Sequence, residues 1–86
     1  MKISVELTLS PLQDDFETPI INFIKELRKS GFKVIENPLS TQIYGDYDEL
    51  MKYLTGEIKT AFEHSENVLL YLKIVKTDRS SYERNY

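Results

Sequence analysis

Ile3, Val5, Leu7 and Leu9 alternate with Lys2, Ser4, Glu6 and Thr8. This period of two predicts a β-strand with one apolar and one polar face. A connecting stretch follows from Ser10 to Thr18, holding Pro11 and the pair Asp14-Asp15. The period then changes: Ile20, Phe23, Ile24 and Leu27 fall at i, i+3, i+4 and i+7, the stripe of an amphipathic helix. Thr18 and Pro19 read as its N-cap and first helical residue, and Gly31 as its left-handed C′ residue. Phe32–Glu36 reads as a short, charged strand that ends before Pro38, which suits a sheet edge. Thr41-Gln42-Ile43-Tyr44 alternates again, as a third strand. Gly45 is expected to let the backbone bend, and Asp46 or Asp48 to cap the helix that follows. Tyr47, Leu50, Met51, Leu54, Ile58, Ala61 and Phe62 carry the helical period to about His64, with Gly56 on the solvent side. Val68–Lys76 forms the last strand, with Leu70, Leu72 and Ile74 on one face and Leu69, Tyr71, Lys73 and Val75 on the other.

The order strand-helix-strand-strand-helix-strand, with right-handed crossovers, predicts an α+β, ferredoxin-like βαββαβ sandwich. Its four-stranded antiparallel sheet has the order 4-1-3-2 and both helices on one face. Residues 1–79 form a single domain and 80–86 a polar C-terminal tail, with the chain after Lys76 expected to be loosely held.

Composition narrows the function. The chain has 86 residues, a net charge of −3, no Cys and one His. An acidic balance disfavours nucleic acid, whose phosphates call for a basic surface. The lack of Cys excludes disulfides and thiolate metal sites, and a lone His makes structural zinc improbable. No apolar run approaches a bilayer span, and the N-terminus reads as a strand and not a signal peptide, so a cytoplasmic protein without membrane contact is expected.

With both helices on one side, the other side of the sheet carries Ser4, Glu6, Thr8, Gln42, Tyr44, Leu69, Tyr71, Lys73 and Val75. A mixed face of this kind suits a partner surface or a ligand floor. Glu6 can pair with the ring nitrogen of a heterocycle or with Lys73 across the strands. Ser40 and Thr41 offer hydroxyls and backbone N–H groups to a small polar ligand, or serve only as turn residues. Tyr44 and Tyr71 can stack on a flat ring or form cross-strand aromatic packing in a dimer. His64, at a helix C-terminus, reads as structural or exposed. No phosphate loop, GxSxG or HExxH motif is present, and the first loop lacks the Arg of an acylphosphatase-type site.

Met1-Lys2-Ile3-Ser4-Val5-Glu6, Ser10-Pro11-Leu12, Pro38-Leu39-Ser40-Thr41, Ile43 with Gly45, Asp48-Glu49, and Lys73-Ile74 with Asp78-Arg79 together resemble the small thiamine-binding family of bacteria and archaea. The resemblance covers about residues 1–79. It implies a ferredoxin-like fold and homo-oligomers, commonly dimers of dimers. It also implies binding of thiamine or its hydroxymethylpyrimidine part without catalysis, cofactor or metal. Ser40 and Thr41 carry over as the first ligand contacts and Glu6 as the next; Thr8 and Tyr44 complete the candidate set. The alternative is a protein-interaction or regulatory assembly module that uses the open sheet face.

Overall fold

The computed structural model describes residues 1–83. Its elements are β1 (Lys2–Pro11), α1 (Glu17–Arg28), β2 (Lys33–Glu36), β3 (Thr41–Asp46), α2 (Tyr47–Glu63) and β4 (Val68–Lys76). All neighbours are antiparallel in a sheet of order β2-β3-β1-β4, and both helices cover one face. This is the ferredoxin-like arrangement predicted from the order of elements. β1 and β3 are central because each adjoins two strands; β2 and β4 are the edges.

The core is where the period-two face of β1 meets the two helical stripes. Ile3, Val5, Leu7 and Leu9 pack with Ile43, with Phe23 and Leu27 of α1, and with Leu50 and Leu54 of α2. Tyr47 and Phe62, placed on the α2 stripe by periodicity, lie in its first and last turns and are exposed. Arg28 at the end of α1 donates twice to Glu36 at the end of β2, at 2.7 Å each, and holds the Glu36 carboxyl below the usual carboxylate range.

Local starts and stops differ from expectation in informative ways. β1 runs past Leu9 to Pro11, which pairs only with Val68 of β4; β3 pairing ends at Leu7. Proline is tolerated there because one of its edges is already free. Thr18 is not the N-cap: α1 begins at Glu17, and Asp15 Oδ1 accepts the Thr18 N–H at 3.3 Å. Pro19 still lies in the first turn, where its missing N–H costs nothing. Asp46 occupies the N-cap position of α2 without a side-chain cap, because its carboxylate faces Lys2 at 3.4 Å and the terminal amine at 3.8 Å. Gly31, at φ +86°, turns the chain towards β2.

Gly45 has a different role from the bend expected of it. It lies on the helix side of β3, opposite Ile3, where a Cβ would fall 2.7 Å from Cδ1 of Phe32. The Phe32 ring is itself packed on Tyr53, with centroids 5.6 Å apart. Gly45→Ala should therefore destabilise by about 1–3 kcal/mol through overpacking. Urea denaturation reads this directly; an unchanged midpoint would show that the ring yields freely.

Candidate functional site on the open sheet face

The register decides which side chains meet. Glu6 lies opposite Gln42 on one side and Lys73 on the other; Ser4 lies between Tyr44 and Val75. Side chains on paired residues share a face, so Glu6, Gln42, Tyr44 and Lys73 stand together on the side without helices. They form a bonded chain. Tyr44 Oη donates to Gln42 Oε1 at 3.3 Å, Gln42 Nε2 to Ser40 Oγ at 3.5 Å, and Ser40 Oγ to Glu6 Oε2 at 3.0 Å. Lys73 Nζ stands 3.7 Å from Glu6 Oε1, so the cross-strand ion pair is present as well. Both partners are exposed enough that the pair contributes only ~0–1 kcal/mol.

The turn before β3 supplies Ser40. Asn37 Oδ1 accepts the N–H groups of Leu39 and Ser40, both at 2.9 Å, and Asn37 N–H donates to Ser40 O at 3.1 Å. The Ser40 backbone N–H is thus spent within the turn, contrary to the expectation that it could serve a ligand, and only its side chain reaches the face. Thr8 Oγ1 donates to Leu39 O at 3.2 Å and ties the same turn to β1. Thr41 points the other way. It pairs with Leu7, shares the helix-side face with Ile43, is buried, and lines a small cleft of about 170 Å³ with Thr8, Phe23 and Pro38. The structure therefore brings Glu6, Ser40 and Tyr44 together, sets Thr8 at the rim, and places Thr41 beneath the turn on the opposite face. Gln42 and Lys73 join the group although neither was among the candidate contacts.

Tyr44 is only 9% exposed on a face that no helix covers. The chain after β4 folds back over this end. Ser4 Oγ donates to Thr77 O and accepts the Arg79 N–H, both at 2.8 Å, while Thr77 N–H donates to Lys2 O at 2.9 Å. Thr77 takes φ 120°, an unfavourable conformation for a β-branched residue that these three bonds hold in place. The chain just after Lys76 is therefore fastened and not loose as far as Arg79; residues 84–86 lie outside the described residues. Burial raises the Tyr44 phenol above its ordinary pKa, and the carboxylates of Asp78 and Glu6 add to this. The hydroxyl stays protonated and available as a donor.

A larger cleft, about 390 Å³, lies on the helix side between α1 and α2, over Phe23 and Ala61. It shares no residue with the candidate set. Burial, aided by Glu26, raises the pKa of Glu57 there. His64 at its end bonds through Nδ1 to Thr60 O at 2.8 Å, the structural role expected of it. The open face carries the better-defined chemistry because its polar groups converge through successive hydrogen bonds. Among the described residues no group of three or more His, Cys, Asp or Glu is placed to hold a metal ion, and no helix is long and apolar enough to cross a membrane.

This architecture has close counterparts. A Streptococcus pneumoniae protein superposes with a TM-score of 0.84 at 29% identity, covering 94% of this chain and 92% of its own. A proposed thiamine biosynthesis/salvage protein of Thermotoga maritima gives 0.81 at 20% identity, over 90% and 85% of the two chains. A Methanocaldococcus jannascii protein gives 0.74 at 25% identity, over 90% and 81%. Comparison with curated proteins gives no match. The chain is thus a ferredoxin-like domain of a kind found in both bacteria and archaea. The family model described as "Thiamine-binding protein" matches residues 5–85, and the chain belongs to that family.

Proposed function

We propose that this protein binds thiamine or its hydroxymethylpyrimidine part on the open sheet face and releases it unaltered, as a cytoplasmic carrier or sensor. The observation that carries the reading is the Ser40–Glu6–Gln42–Tyr44 group within a chain of the thiamine-binding family. A carboxylate, a hydroxyl and a tyrosine ring complement an aminopyrimidine, which presents an amino donor, ring-nitrogen acceptors and a flat apolar face. Glu6, Ser40 and Tyr44 are the direct contacts in this reading. Thr8 and Thr41 hold the turn from its two sides. No cofactor, metal, nucleic acid or membrane is required. Incubation with thiamine followed by mass spectrometry tests the non-catalytic part: the ligand should be recovered intact, and a converted product would overturn it.

The proposal includes a homo-oligomer, a dimer of dimers. β4 is an edge strand, and apolar side chains stand exposed on both of its faces: Leu72 and Ile74 on the helix side, Leu69 and Tyr71 on the open side. A long apolar edge is a ready template for another chain. The same edge favours the second reading, a module that binds a different protein there. Sedimentation separates them. The purified chain alone should run as an oligomer, and Leu69→Asp should dissociate it; a monomeric wild-type chain would leave the edge to a different partner.

A further inference from the structure

Gln42 sits at the centre of the bonded chain on the open face, and the direction of each bond can be deduced. An ionised carboxylate only accepts, and a serine hydroxyl has one hydrogen to give. Ser40 Oγ gives its hydrogen to Glu6 Oε2 at 3.0 Å. Towards Gln42, Ser40 can then only accept, so Gln42 must turn its NH₂ to Ser40, at 3.5 Å. The Gln42 carbonyl is left facing Tyr44, whose hydroxyl donates to it at 3.3 Å. The Ser40 end thereby fixes the orientation, and the Tyr44 hydroxyl, which can donate or accept, adapts to it by donating.

This orientation creates a patterned edge. Glu6 and Gln42 are cross-strand partners on one face. Glu6 offers acceptor oxygens, and beside it Gln42 has a second N–H beyond the one given to Ser40. A 4-aminopyrimidine presents the complement: an exocyclic amino donor next to a ring-nitrogen acceptor. The 4-oxo counterpart presents the reverse, with a carbonyl against the carboxylate and a ring N–H against the amide N–H. We infer that Gln42 is a specificity-determining residue, held by Ser40 so that the Glu6–Gln42 edge takes a 4-aminopyrimidine and rejects its 4-oxo counterpart. The inference rests on the thiamine reading above and goes beyond it, by naming the heterocycle edge that is read and the residue that reads it. Ser40 acts as the positioning residue for Gln42, and Tyr44 adds a hydrogen bond to the carbonyl so placed.

The test is calorimetric affinity of the full chain for 4-amino-5-hydroxymethyl-2-methylpyrimidine and for its 4-oxo counterpart. Each mismatched contact should weaken binding about tenfold, so wild type should favour the amino compound by about a hundredfold. Ser40→Ala removes the hydroxyl that fixes the amide, lets it turn over, and should cut the ratio to about tenfold, the part due to Glu6. Gln42→Met should give a similar ratio and serves as the second variant if one of them folds poorly. A merely structural role for Gln42 or Ser40 would weaken both compounds alike. An unchanged ratio in the variants, or a wild-type ratio near one, would overturn the inference while leaving the thiamine reading in place. Failure of wild type to bind the amino compound and thiamine would overturn both.

Discussion

Leu54→Ala should lower the stability of this domain by about 2–5 kcal/mol, the largest effect of any single substitution considered. Leu54 is fully buried, and it stands where α2 meets Leu27 of α1 and the apolar face of β1. Removing its branched end leaves a void that neighbours on three rigid elements cannot fill. For a domain of this size each kcal/mol moves the melting temperature by about 4–8 °C, so a fall of at least about 10 °C is expected. Total stability for such domains is only about 5–15 kcal/mol, so the variant loses a large share of its margin. Differential scanning calorimetry measures this directly. A melting temperature within about 2 °C of wild type would mean that the helix layer does not pack as described.

Glu6→Gln carries the second large effect, on binding and not on folding. The substitution keeps the shape and leaves an oxygen for Ser40. It removes the exposed ion pair with Lys73, a loss of ~0–1 kcal/mol. The carboxylate is the only anionic acceptor in the Ser40–Gln42–Tyr44 chain. A hydrogen bond to a charged group is worth about 1.5–3 kcal/mol, so thiamine affinity should fall by about ten- to a hundredfold while the melting temperature stays close to wild type. Unchanged affinity would remove Glu6 from the site.

The fold was legible because its signals are redundant. The alternation in β1 and the stripe of Ile20, Phe23, Ile24 and Leu27 each specify one buried face, and the order of elements leaves few ways to join those faces. What periodicity could not show are contacts between distant residues. Gly45 answers to the Phe32 ring, and Ser4 to Thr77 and Arg79; neither pairing leaves a local pattern. Asp15 supplies a first-turn acceptor from a position where an adjacent acidic pair looks like ordinary loop.

The candidate site was legible in part. Glu6, Thr8 and Tyr44 follow from the same alternation that gives the fold. Thr41 could have been separated by the same rule, since it has the parity of Ile43, not of Gln42 and Tyr44; its neighbour Ser40 obscured that distinction. Gln42 was visible on the face, but its part depends on the Ser40–Glu6 bond, which only the pairing of β3 with β1 brings within reach.

Isothermal titration calorimetry of the wild-type chain with thiamine, at a known oligomeric mass, tests the central claim most directly. The expected result is saturable, roughly micromolar binding, about −8 kcal/mol, with a fixed stoichiometry per subunit. Absence of binding heat at several temperatures, with no rise in melting temperature on adding thiamine, would contradict it.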